Sequence, residues 1–153
     1  MKRFIFLAAI WIAPATEAQQ VIGGLGWDED GHGIHGTIEY NVTPFHSTNR
    51  FQAALAVAAR IDQDGDAWIG AGVALERHLS ERVFVEFSFM PGYYHEQDDV
   101  LGGALQYRSL IGLGYDLSET SAISVSIDHL SNGGAEDFNP GSEAIAIRYR
   151  LRF

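Results

Sequence analysis

From about residue 20 onward the chain alternates. Val21, Gly23, Leu25 and Trp27 share one parity, and in 33–43 Ile34, Gly36, Ile38, Tyr40 and Val42 alternate with His35, Thr37, Glu39 and Asn41. The same period of two recurs in 50–61 (Phe51, Ala53, Leu55, Val57, Ala59, Ile61) and 66–77 (Ile69, Ala71, Val73, Leu75). It recurs again in 82–91 (Val83, Val85, Phe87, Phe89), 103–116 (Leu105, Tyr107, Ile111, Leu113, Tyr115), 121–130 and 142–153. Side chains two residues apart share one face of a strand, so each segment predicts a strand of about ten residues. The chain therefore predicts eight strands.

The links between these segments also alternate. "DEDGH", "DQDG", "GYYHEQDDVLGG" and "SNGGAEDFNPG" are polar and mostly long, whereas the links at 80–81 and 117–120 are tight, and only "PFHSTN" lengthens the second set. Consecutive strands joined in this way predict an all-β fold, an eight-stranded antiparallel up-and-down transmembrane β-barrel. Strands of ~9–11 residues cross a bilayer when tilted, and closure leaves no edge unpaired in lipid. A soluble eight-stranded barrel is the competing architecture, but it buries its apolar face inside. Here one face carries large aliphatics and aromatics, while the other carries Ala, Gly, Ser, Gln, Glu and Arg, which suits a narrow polar lumen. Gly112 and Gly114 are expected to relieve crowding there. With short turns periplasmic, the link between the last two strands faces outward, and residues 129–143 sit at the outer leaflet. The alternating Tyr149, Leu151 and Phe153 resemble the sorting signal of bacterial outer-membrane proteins.

Composition adds boundaries. Residues 1–18 carry Lys2 and Arg3, an apolar run from Phe4 to Ala13, then Pro14, Thr16 and Ala18. That order predicts a signal peptide, too short for a ~20-residue spanning helix, with the barrel occupying 19–153. The 153 residues have a formal net charge of −10 and no Cys. The charge argues against nucleic acid, whose phosphates call for Lys and Arg. The missing Cys excludes disulfides, thiolate metal sites and a Cys nucleophile.

One group breaks the pattern. His129, Ser131 and Glu143 share the parity of Ile123, Val125, Ile127, Ile145 and Ile147, so they belong to lipid-facing rows. Polar residues facing lipid cost free energy, less so near the interface. Residues i and i+2 on a strand face lie about 6.6–7 Å apart, within reach of an imidazole and a hydroxyl. One register of the terminal hairpin sets Glu143 opposite His129. Carboxylate, imidazole and hydroxyl in that order make an orienter, a general base and a nucleophile. The following "NGG" offers oxyanion donors in the Asn132 amide and the Gly134 N–H. The bland alternative is three ordinary interfacial residues.

"DHLSNGG" followed by "GSEAIAIRYRLRF" resembles the outer-membrane lipid A 3-O-deacylase (PagL-like) family, which has H-x-S-N-x-G near the end of the seventh strand and a Glu twelve residues after the Ser. "LGGALQYRSLIGLGYDL" at 101–117 also looks like that family's sixth strand. The resemblance implies a serine esterase that removes the ester-linked 3-hydroxyacyl chain at the 3-position of lipid A in lipopolysaccharide. It implies a location in the bacterial outer membrane, with the site facing the outer leaflet. It puts the triad on His129, Ser131 and Glu143, the oxyanion hole on Asn132 and Gly134, and needs no metal or cofactor. Some members form homodimers. Leu130 departs from the aromatic residue frequent at its position and is expected to point into the barrel. The loop "AEDFNPGS" is more acidic than expected. The rival readings are a non-catalytic barrel and another outer-leaflet acyl hydrolase or acyltransferase.

Three other stretches mix chemistry with turns. "DQDGD" (62–66) hints at a calcium loop, but its Gly comes one position early for an EF-hand and no suitably placed Glu follows. "WDEDGHGIH" (27–35) and "YYHEQDD" (93–99) mix His with carboxylates as metal sites do. All three are expected to be solvated loops.

Overall fold

The computed structural model describes residues 19–29 and 33–153; the expected signal peptide, 1–18, lies outside the described residues, as do 30–32. Every regular element described is a strand: β1 (Gln20–Asp28), β2 (Ile34–Asn41), β3 (His46–Thr48), β4 (Phe51–Asp62), β5 (Ala67–His78), β6 (Val83–His95), β7 (Leu105–Asp116), β8 (Ser121–Ser131) and β9 (Ser142–Arg152). Apart from β2 and β3, neighbours in sequence pair antiparallel, and the sheet closes through β1 with β9 and β2 with β4. The result is the expected eight-stranded barrel. The three-residue β3 is an addition that folds the "PFHSTN" link back onto β4.

The faces fall as the alternation requires. Leu25, Ile38, Leu55, Ile69, Ile111, Leu113, Val125, Ile127, Ile147 and Leu151 project from the outer wall. The inner wall is polar. Arg148 binds Glu39 at 2.8 Å and Glu86 at 3.0 Å, Arg108 binds Asp128 at 2.8 Å, and Arg152 binds Asp116 at 2.7 Å. Arg150 bridges Glu76 and Glu86. Each buried arginine is thereby paired, which a low-dielectric interior demands.

Space in this lumen is set by missing side chains. A Cβ on Gly114 would stand 2.1 Å from the Phe84 ring, and one on Gly112 would meet the Glu86 carboxylate at 2.7 Å, so both glycines relieve crowding as expected. At the opposite end Trp68 fills the lumen above Gly70 and Gly92, which pair directly with each other. Trp68 Nε1 donates to the Gln106 carbonyl at 3.2 Å.

One boundary differs from expectation. β6 continues through Pro91 to His95. A proline cannot donate to the ladder, which is why the sequence suggests a stop. The strand survives because Pro91 still pairs with Tyr107 on the β7 side.

The three stretches expected to be solvated loops are corrected in part. Asp28 and Asp62 lie inside the barrel mouth, and His35 and Asp66 are 1% and 0% exposed. Their parity sends them inward, and loop composition conceals that. Asp66 accepts N–H donors from Gln97, Asp98 and Asp99, so it organises the β6–β7 loop.

Candidate active site

β8 and β9 rise to the end of the barrel that bears the long loops. The β8–β9 ladder pairs Ile127 with Ile145, Asp128 with Ala144 and His129 with Glu143. Apolar faces match in this register, and that match brings the imidazole and the carboxylate together on the outer wall. His129 Nδ1 stands 3.5 Å from Glu143 Oε1. The two side chains are 44% and 59% exposed, so they belong to the exterior surface. His129 Nδ1 is itself buried, and the 3.5 Å contact with Glu143 is longer than a hydrogen bond of good geometry. With Nδ1 facing Glu143, Nε2 is left for a second partner.

Ser131 is the next residue in the outward row and ends β8, opposite Tyr107 of β7. The Tyr107 ring stacks on Phe89 with centroids 5.9 Å apart and planes at 12°. An aromatic wall therefore borders the serine on the β7 side, while on the β9 side the ladder has already ended at Leu130 and Ser142. Leu130, between the site residues, points inward and is buried, as expected.

The loop beyond Ser131 is held by one side chain. Asn132 is buried, and its Nδ2 donates to the carbonyls of Gly102 (2.8 Å) and Phe138 (2.9 Å). Its Oδ1 accepts the Gly134 N–H at 2.8 Å, and its own N–H donates to Asn139 Oδ1 at 3.0 Å. Both residues expected to supply oxyanion donors are therefore hydrogen-bonded within the protein. Asn132 pins the β6–β7 loop to the β8–β9 loop. Gly133 (φ 67°) and Gly134 (φ 81°) turn the chain away through the left-handed region that favours glycine.

Three contributors escape a reading of the sequence. Gly102, at φ 75°, passes so close to the other loop that a Cβ would lie 1.8 Å from the Phe138 oxygen. Gly141, at φ 71°, lies against the base: a Cβ there would stand 3.0 Å from His129 Cε1. Asn139 caps the Asn132 N–H. Paired glycines at 102–103 and a Gly just before β9 are the only sequence signals.

Known proteins bear on this arrangement. The family model "Lipid A 3-O-deacylase (PagL)" matches residues 24–152. The chain belongs to the lipid A 3-O-deacylase (PagL) family. A relative from Bordetella bronchiseptica, "Lipid A deacylase PagL", is 30% identical over 86 residues, 56% of this chain and 44% of that protein. The match thus spans less than half the length of that relative. Among solved structures, the outer membrane enzyme PagL superposes with a TM-score of 0.71 at 17% identity, covering 86% of this chain and 98% of that one. The N-terminal β-barrel domain of Pseudomonas aeruginosa OprF gives 0.61 at 10% identity, covering 90% and 98%. At such identities the structures speak to the fold: a closed transmembrane-type barrel.

Proposed function

We propose that this PagL-family chain is an outer-membrane serine esterase that removes the 3-hydroxyacyl chain ester-linked at the 3-position of lipid A. The observation that carries the reading is the direct opposition of His129 and Glu143 on the outer wall, one outward position below Ser131. An ester at the boundary of sugar headgroup and acyl tails is accessible to a nucleophile on the barrel exterior near one end. It is inaccessible to one in the lumen.

Ser131 Oγ attacks the ester carbonyl carbon while His129 Nε2 takes its proton. Glu143 holds the ring through Nδ1 and stabilises the imidazolium. The tetrahedral adduct collapses, the C–O bond to the sugar breaks, and His129 returns the proton to the departing sugar hydroxyl. Water, deprotonated by His129, then cleaves the acyl-Ser131 ester and releases the 3-hydroxy fatty acid. The developing oxyanion is assigned to the Gly134 N–H. Its resting acceptor is a neutral amide oxygen, and charge-assisted hydrogen bonds are about twice as strong as neutral ones. Asn132 acts alongside it by holding the loop. The family relationship supports this substrate class, and the exterior location supports access from the outer leaflet. A homodimer is compatible with the reading and is not needed by it.

The deciding experiment is expression in a host of defined lipid A, followed by mass spectrometry. Loss of one 3-hydroxyacyl group, abolished by Ser131→Ala and by His129→Asn, is the expected result. Unchanged lipid A beside a folded, heat-modifiable barrel overturns it. Loss of acyl chains from glycerophospholipid instead points to another outer-leaflet hydrolase.

A further inference from the structure

The barrel mouth holds a second cluster, inside the wall, that the esterase chemistry does not use. His35 pairs with Asp62 across β2–β4 and with Gly26 across β1–β2. Gly26 has no side chain, and the imidazole fills that space: a Cβ there would stand 2.4 Å from His35 Nε2. Asp28, two residues further along β1, places Oδ1 3.5 Å from His35 Nδ1. One ligand atom from each of Asp28, His35 and Asp62 lies within 4.8 Å of the others. The two stretches that look like metal motifs, "WDEDGHGIH" and "DQDGD", thus converge on one point.

His35 supplies the independent sign of a ligand. It is 1% exposed; Nε2 has no hydrogen-bond partner among the described residues, and Nδ1 has only the 3.5 Å contact with Asp28. A buried imidazole nitrogen without a partner is costly, because polar groups removed from water need compensation. Arg60 currently neutralises the two aspartates, at 2.7 Å from Asp28 and 2.9 Å from Asp62. It also has somewhere else to go. Arg60 Nη1 and Asp128 Oδ1 both lack hydrogen bonds and stand 3.7 Å apart.

We propose that Asp28, His35 and Asp62 form a binding site for a divalent transition-metal ion of the zinc type, reached when Arg60 moves to Asp128. An imidazole ligand beside two carboxylates selects zinc-like ions over calcium or magnesium, which prefer all-oxygen sites. Ligands about 2.1 Å from one ion lie at most about 4.2 Å apart, so any wider pair in the cluster must close to that separation on binding. Rotation of the two carboxylates provides that. The ion would tie β1, β2 and β4 together at the mouth. It would also bear indirectly on the outer wall, since the Glu29 N–H donates to the Glu143 carbonyl at 2.9 Å.

The test uses the full barrel, folded in detergent, stripped with chelator and dialysed against zinc chloride. Zinc content after gel filtration and X-ray absorption at the zinc edge are the readouts. One ion per chain is expected, in an oxygen–nitrogen shell containing one imidazole. His35→Gln and Asp62→Asn should each weaken binding at least about tenfold, as loss of a metal-site partner does. Arg60→Gln, which removes the competing cation, should tighten it. Heat-modifiable migration verifies that each variant is folded. If His35→Gln does not fold, the imidazole signature in the wild-type spectrum and the Asp62→Asn titration decide. Failure of the wild-type barrel to retain zinc, retention undiminished by Asp62→Asn, a shell with several imidazoles or with none, or a preference for calcium each overturns the proposal.

Discussion

Glu143 and His129 face each other directly across the β8–β9 ladder, with a carboxylate oxygen 3.5 Å from Nδ1. In the proposed mechanism the glutamate orients the base and the serine carries the chemistry, so the three substitutions should differ in size. Ser131→Ala and His129→Ala should each cost on the order of 10⁶ in turnover, and Glu143→Ala on the order of 10⁴, the pattern seen when an orienter is lost and a base is not. Deacylation of lipid A in mixed micelles, followed by mass spectrometry, measures it. Equal losses for all three would put Glu143 in a different role.

Gly141→Ala is a test of fit around the base. The new Cβ would press on His129 Cε1 at 3.0 Å, and φ 71° strains any L-residue. Displacements of about 1 Å at a catalytic group cost up to about 10²-fold, so activity should fall by about that much while heat-modifiable migration stays that of a folded barrel. Full activity in this variant would mean that the loop yields freely.

Asn132→Ala removes two donors and one acceptor from the junction of two loops. Each carbonyl left unpaired costs about 1–3 kcal/mol where water cannot reach it. Faster hydrogen exchange is expected in 96–104 and 132–141, with the strands unchanged. Exchange that is unaltered in both loops would contradict the pinning role.

Arg148→Met takes the nearest cation from Glu39, which is left with Arg108 at 3.5 Å, and one of two cations from Glu86, which keeps Arg150. Breaking a buried pair by removing one partner costs about 3–5 kcal/mol, read as a lower urea midpoint in lipid vesicles. Adding Glu39→Gln should return part of the loss, because the more weakly compensated of the two charges disappears.

On the outer wall, Ile127→Arg should destabilise the barrel by about 2–4 kcal/mol if that position lies near the bilayer midplane, and much less if it lies near the interface. The same urea titration therefore reports the depth of the row below His129.

The pattern of alternation carried most of the architecture, because each outward row from Leu25 to Leu151 repeats one contrast with its inward neighbours. It also allowed the His129–Glu143 pairing, one of the registers that match the apolar faces, and the structure adopts that register. Contacts without a local signature stayed hidden. Gly102 meets Phe138 from 36 positions away, and no local pattern announces that approach. Trp68 looks like one aromatic among many until Gly70 and Gly92 are seen to make room for it. Asp28 and His35 were obscured by their loop-like composition, although parity alone assigns them to the lumen. The inward hydrogen bonds of Asn132 are the clearest example: the motif suggests an oxyanion donor, and nothing in it announces that the side chain also clasps two loops.

With Ser131 as the proposed nucleophile, the outward row that ends in it has a kinetic consequence. A nucleophile on the barrel's outer wall meets only molecules that share its bilayer, and they arrive by lateral diffusion. The concentration that governs such a catalyst is a mole fraction in a surface. Diluting the suspension leaves its rate unchanged, whereas diluting the substrate with inert amphiphile slows it. Any KM for this chain belongs in units of surface composition.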